Sequence, residues 1–197
     1  VKIVNKISKE HGTIKHVYFL ACGGSLVDLY PGYYFLRAES AVMDAQWIPA
    51  REFALTPPRK LGKDSLLVIC SHSGKTKECL EAAKAGMEAG AAVVTMTHAP
   101  GSACDTDEWI SIVYDWAPGV KEAEKPQGIV LRLLNELMKI QEPGYGLYDK
   151  IAEGFGKIDE IIAEAVKDQQ NAAWLFAEKY SEEPNLYIMA SGASYSQ

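Results

Sequence analysis

The sequence predicts an α/β fold, a three-layer sandwich with a five-stranded parallel sheet between helices. Three observations point there. Short apolar runs recur at 17–22, 65–71 and 91–97, each stopped by small or polar residues. Helical segments stand between them, the order that builds a parallel sheet through right-handed crossovers. The runs are continuous rather than alternating, which suits strands covered on both faces.

The elements follow in chain order. Residues 1–10 are amphipathic and short. The run VYFLAC at 17–22 is the first strand, stopped by Gly23 and Gly24. Residues 26–40 read as one helix, despite Pro31 and Gly32, and 41–48 as a second strand. A short helix at 49–54 and a loop at 56–59 lead to SLLVICS at 65–71, the clearest buried strand. Residues 74–90, rich in Ala, Lys and Glu, are strongly helical. AAVVTMT at 91–97 and residues 109–114 complete the sheet. A helix over 128–140 carries Ile129, Leu133, Leu134 and Leu137 on one side. From 147 to 180 the pattern is helical with an expected break at 167–171, giving a helix pair that covers the first domain. Trp174, Phe176 and Tyr180 read as packing residues at a subunit or interdomain contact.

Composition narrows the class. The chain has 197 residues, 48% hydrophobic and 23% charged, with net charge −6. That is globular composition, enough to bury about 70% of the unfolded surface. No basic run supplies the patch that phosphate-driven nucleic-acid binding needs, and no apolar run is long enough for a membrane span. Cys22, Cys70, Cys79 and Cys104 form no CxxC pair, and the four histidines do not cluster with them. No metal site, disulfide scaffold or organic cofactor is implied, and a reducing, cytoplasmic setting is expected. Cys22 and Cys70, at strand ends, read as buried small apolar residues.

Residues 186–194 repeat the first strand and its turn at a constant offset. Leu186 falls on Val17, Tyr187 on Tyr18, Ala190 on Ala21, Gly192 on Gly23 and Ser194 on Ser25. The expected organisation is therefore a domain at 1–145, a helical linker at 146–184, and the first strand and turn of a second domain at 185–197. On that reading 197 residues is a truncated length.

In parallel sheets ligands bind beyond the C-terminal strand ends, near the switch in strand order. The loops of interest follow Cys22, Ser71 and Thr97. Ser71-His72-Ser73-Gly74-Lys75-Thr76 stands between a buried strand and a helix. Free N–H groups and the helix dipole attract anions there, and Ser71, Ser73 and Thr76 add hydroxyl donors. Gly74 lets the backbone approach a ligand, and Lys75 adds charge. Helix capping by Ser73 is the competing reading, but capping needs one hydroxyl, not three. A nucleotide P-loop fails because Ile69 stands where its first glycine belongs. A nucleophile elbow fails because Ser71 takes a glycine's place. The turn at Gly23-Gly24-Ser25 lacks dinucleotide-binding spacing.

Strand-C-G-G-S followed by strand-S-H-S-G-K-T resembles the two signatures of the sugar isomerase (SIS) domain, a flavodoxin-like fold. The resemblance covers residues 17–140. It implies a phosphosugar ligand, held by Ser71, Ser73 and Thr76, with Gly23, Gly24, Ser25 and His72 lining the pocket. Amidotransferase members of the family carry Gln where His72 stands, and an E-x-G-V-A-S-T-K stretch where this chain reads GVKEAEK at 119–125. The chain is more similar to the fructosamine and fructoselysine 6-phosphate deglycases, hydrolytic enzymes that cleave phosphorylated Amadori products to a sugar phosphate and an amine.

The resemblance implies proton shuttling around carbons one and two of the open-chain ketosamine. The acid/base groups are then expected mostly from a second SIS domain or a neighbouring subunit, so this chain alone is expected to be inactive. Glu122 is the candidate acid/base within it, against a solvated helix-start glutamate. His98 heads a loop near the ligand. A homodimer or higher homo-oligomer is expected. The alternatives are an aldose–ketose phosphosugar isomerase and a non-catalytic phosphosugar sensor. SIS regulators usually carry a helix-turn-helix, for which residues 1–13 are too short.

Overall fold

The computed structural model describes residues 1–192. Five strands form one parallel sheet in the order β2-β1-β3-β4-β5. They are β1 (His16–Ala21), β2 (Asp44–Pro49), β3 (Ser65–Cys70), β4 (Ala92–Thr97) and β5 (Ile110–Val113). The helices before the last are α1 (Lys2–His11), α2 (Gly24–Asp28), α3 (Tyr30–Glu39), α4 (Ala50–Leu55), α5 (Lys77–Glu88) and α6 (Pro126–Gln141). The predicted fold class and strand count hold, with strand boundaries shifted by at most three residues.

Successive strand residues point to opposite faces, so each central strand feeds two cores. Val17 and Phe19 of β1, Val68 of β3 and Val94 of β4 pack with Leu36 of α3 and Leu134 of α6. Tyr18, Leu20, Leu67, Ile69 and Val93 pack on the other face with Phe53 of α4 and Ala82 and Ala83 of α5. Burial on both faces is why β1, β3 and β4 lack a polar-apolar alternation.

Two helix expectations need correction. The single helix at 26–40 is two helices, with Leu29 as the joint and Pro31 in the first turn of α3. Proline is tolerated there because a first-turn N–H has no intrahelical partner. Gly32 then lets α3 close on α6 and β1: a Cβ would stand 2.9 Å from Val130 of α6 and 3.0 Å from Phe19 of β1. The expected helix pair at 147–180 is one helix, α7 (Tyr148–Tyr180), of 33 residues. The stretch KDQQN is polar but holds no glycine or proline, and its residues propagate a helix. Nor does α7 cover the domain, since none of its residues is buried. Trp174 and Phe176 are more than half exposed in this chain.

Residues 184–190 form no strand in the structure; Tyr187, Ile188 and Met189 are exposed there. The Ala193 and Ser194 positions of the expected second turn lie outside the described residues.

Tyr18 is buried against Phe53, their rings 5.4 Å apart, and its hydroxyl has no hydrogen-bond partner among the described residues. Burial, reinforced by Asp44 and Asp64, pushes its pKa up to about 12. The folded value thus lies above the unfolded one of about 10. The stabilisation from keeping this phenol neutral is full below that unfolded value and is lost as pH rises through the folded one. Tyr18→Phe is therefore expected to match the native chain in urea unfolding at pH 7, because no hydrogen bond is lost. It should lose less stability than the native chain between pH 10 and 12. Equal losses would show that Tyr18 does not carry this dependence.

Candidate functional site

The sheet order changes direction at β1, which lies between β2 and β3. Ala21 pairs with Cys70, so the chains leaving β1 and β3 emerge side by side. Such a switch point opens a crevice, and the two predicted loops flank it. Cys22, Gly23 and Gly24 are exposed and Ser25 is half-buried. Gly23 has φ +60° and leads into α2. The exposure of Cys22 corrects the expectation that it is buried.

The turn 71–76 is tightly built. The Gly74 N–H donates to the Ser71 carbonyl at 2.9 Å, and the Ser71 N–H donates to Met96 at 3.0 Å. Ser71 is 2% exposed, and its hydroxyl donates to Thr76 Oγ1 at 2.9 Å. Ser73 and His72 are exposed, and Ser73 Oγ accepts from the Lys75 N–H at 3.3 Å. Thr76 is the residue before α5, and no side chain caps that helix. The Cys79 and Leu80 N–H groups donate to the Thr76 carbonyl, so those of Lys77 and Glu78 are left for an anion, and the capping role weighed for Ser73 is not taken up.

Gly74 is the pivot. Its φ is +63°, a left-handed backbone that favours glycine. An added Cβ would lie 1.9 Å from Ser102 Oγ. The close approach is therefore to the loop after β4, whose Cys104 N–H donates to the Gly74 carbonyl at 3.1 Å.

The far wall is a group of rings. His72 and His98 stack with centroids 4.9 Å apart and planes 17° from parallel. Trp116 meets His72 edge-on at 5.7 Å. Tyr114 hydrogen-bonds His72 Nδ1 through its hydroxyl at 3.1 Å. The His98 Nδ1 group lies 3.1 Å from the Tyr114 carbonyl oxygen. Sequence reasoning took in the two histidines but missed Tyr114 and Trp116. The signal was available, since both stand at the C-terminal end of β5, where the rule for parallel sheets applies as it does after β4.

Burial raises the pKa of three groups behind the site. Burial pushes the Cys70 thiol up to about 12, only partly offset by the Tyr114 hydroxyl. Tyr114 itself is raised by burial and by Cys70. Asp28 is raised by burial, against the opposing influence of His72, and accepts from Gln127 Nε2 at 2.6 Å. Cys70, Cys79 and Cys104 are buried, whereas Cys22 is exposed. Ellman's reagent should therefore modify one thiol quickly in the native chain and four in urea. Cys22→Ser should remove the fast phase; a fast phase that persists would contradict this burial pattern.

Glu122 lies outside the ring group, in a 3₁₀ turn at Glu122–Glu124. Its carboxylate is paired with Lys125, and its N–H donates to Asp159 of α7 at 2.9 Å. Among the described residues no helix is long and apolar enough to cross a membrane.

No protein-family model matches the chain. It is 32% identical over 183 residues to the fructosamine deglycase FrlB of Bacillus subtilis, covering 93% of this chain and 56% of that protein. Among solved structures, a candidate phosphosugar isomerase from Salmonella typhimurium superposes with a TM-score of 0.90 at 32% identity, over 99% of this chain and 58% of that one. A candidate phosphosugar isomerase from Bacillus subtilis gives 0.88 at 31% identity, over 99% and 60%. The chain thus spans little more than half the length of the relatives it matches.

Proposed function

We propose, from a chain that carries a sugar isomerase (SIS) domain resembling fructosamine deglycases, that it binds a 6-phosphorylated sugar–amine conjugate as part of a deglycase. The observation that carries this is the uncapped start of α5, ringed by the hydroxyls of Ser71, Ser73 and Thr76. A phosphate there meets N–H groups, a helix dipole and hydroxyl protons together. Gly23, Gly24 and Ser25 form the opposite lip, and His72 borders the turn on the β4 side.

In this reading the cradle fixes the phosphate end and so positions carbons one and two for proton transfer. The conjugate loses a proton beside its carbonyl and regains one at the neighbouring carbon, and water then releases the amine from the resulting imine. Glu122 serves as acid/base only if substrate displaces Lys125 from its carboxylate. Aldose–ketose isomerisation is the second reading, favoured by the descriptions of the two solved structures. It shares the proton transfer and omits the hydrolysis.

The test is incubation with 6-phosphofructosyl-lysine, following free lysine and glucose 6-phosphate by chromatography. Release of both supports the deglycase reading, and Glu122→Gln should then slow it. Interconversion of fructose 6-phosphate and glucose 6-phosphate, without cleavage of the conjugate, selects the isomerase. Absence of any phosphosugar binding by calorimetry sinks both.

A further inference from the structure

We propose that His98 is a specificity-determining residue, whose Nε2 accepts a hydrogen bond from the amine-bearing end of the ligand held in the cradle. The inference rests on the phosphosugar reading and adds to it the group that reads the rest of the molecule.

Hydrogen-bond chemistry sets the direction. His98 Nδ1 faces the Tyr114 carbonyl oxygen at 3.1 Å. A carbonyl only accepts, so Nδ1 carries the proton and, in the neutral ring, Nε2 carries the lone pair. No described residue donates to Nε2, and the residue is only partly buried. An oriented acceptor is thus left open at the C-terminal end of the sheet.

The ring is held in place from three sides. It stacks on His72, the His98 backbone N–H donates to the His72 carbonyl at 3.2 Å, and Thr97 Oγ1 donates to that same carbonyl at 3.3 Å. Tyr114 orients both imidazoles at once, His98 through its carbonyl and His72 through its hydroxyl. The loop after β4 is therefore tied directly to the cradle turn. Since β3 and β4 are adjacent strands, about 5 Å apart, the loop after β4 opens directly beside the cradle, within reach of the far end of a bound sugar phosphate.

Hydrogen-bond chemistry favours an amine there over a carboxylate. An acceptor nitrogen meets an N–H donor, whereas a carboxylate only accepts and would set two acceptors against each other. The titratable groups near His72 or its Tyr114 partner are Asp28 from α2, Cys70 from β3 and Tyr114 itself, each with a pKa raised by burial.

Two variants separate contact from architecture. In His98→Asn the amide N–H replaces Nδ1–H toward Tyr114 and the distal acceptor is lost. In His98→Gln the side chain reaches the Nε2 position but loses the Tyr114 bond. Calorimetry with the full chain, using 6-phosphofructosyl-lysine and glucose 6-phosphate, should show His98→Asn weakening the first about tenfold. Glucose 6-phosphate should change less than twofold, and His98→Gln should recover part of the loss. Equal weakening of both ligands makes His98 architectural and overturns the proposal. So does no weakening of either. If native chain binds neither ligand, the phosphosugar reading fails first and takes this one with it. Should the variants not fold, two-bond ¹H–¹⁵N spectra of the native chain decide. They should show the Nδ1–H tautomer and an Nε2 shift on adding the conjugate, but not on adding glucose 6-phosphate. An Nε2–H tautomer overturns the proposal.

Discussion

Alanine at both Ser71 and Ser73 removes measurable calorimetric binding of glucose 6-phosphate. The two hydroxyls act differently. Ser71 is buried and spends its proton on Thr76 Oγ1, which leaves the Thr76 proton free to point outward. Ser73 is exposed, and its oxygen is engaged by the Lys75 N–H, so its own proton is free for an anion. A hydrogen bond to a charged group is worth about 1.5–3 kcal/mol. Losing one direct bond and misorienting a second therefore costs on the order of a hundredfold in affinity. Thr76→Val should lose more than Ser71→Ala, because it removes the donor that Ser71 only orients, whereas Thr76→Ser should retain binding. Unchanged affinity in the double variant would remove the cradle from consideration.

The second large effect is on the fold around the site. Gly74→Ala should lower the melting temperature by about 5–15 °C in calorimetric scans. A non-glycine residue at φ +63° costs about 1–2 kcal/mol. The added methyl would also lie 2.5 Å from Ser102 Cβ and 2.8 Å from Thr97 Oγ1, an overpacking worth about 1–3 kcal/mol. The two contributions can be separated. Adding Ser102→Gly removes the nearest clash but leaves the dihedral, so the double variant should recover part of the loss. A Gly74→Ala chain that melts like the native one would mean that the turn relaxes freely, against its bonds to Met96 and Cys104.

The sheet was legible because β1, β3 and β4 are buried on both sides, and a continuous apolar run is what such burial requires. The cradle was legible for a related reason. Its groups lie within six residues of one another, between a recognisable strand and a recognisable helix. What escaped depended on three-dimensional neighbours. Tyr114 reaches His72 across 42 positions of sequence, because parallel β3, β4 and β5 bring their C-terminal ends to one edge of the sheet. The joint at Leu29 was hidden because the residues on both sides of it are helix-compatible. The stripe of Ile151, Phe155, Ile158, Ile162 and Val166 is interrupted at 167–171 and resumes at Phe176 and Tyr180. No glycine or proline stands in the interruption, so the helix runs through it.

The edge-on contact between Trp116 and His72 gives the molecule a built-in optical sensor. Trp116 is exposed and sits beside the rings bordering the cradle, whereas Trp109 is buried with its indole N–H on the Cys104 carbonyl. Emission from the first should respond to a ligand that reorders the imidazole stack, while the second reports the integrity of the core. Phenylalanine at both Trp47 and Trp174 silences the other two of the four indoles. A single fluorescence titration could then follow occupancy and unfolding as separate colours.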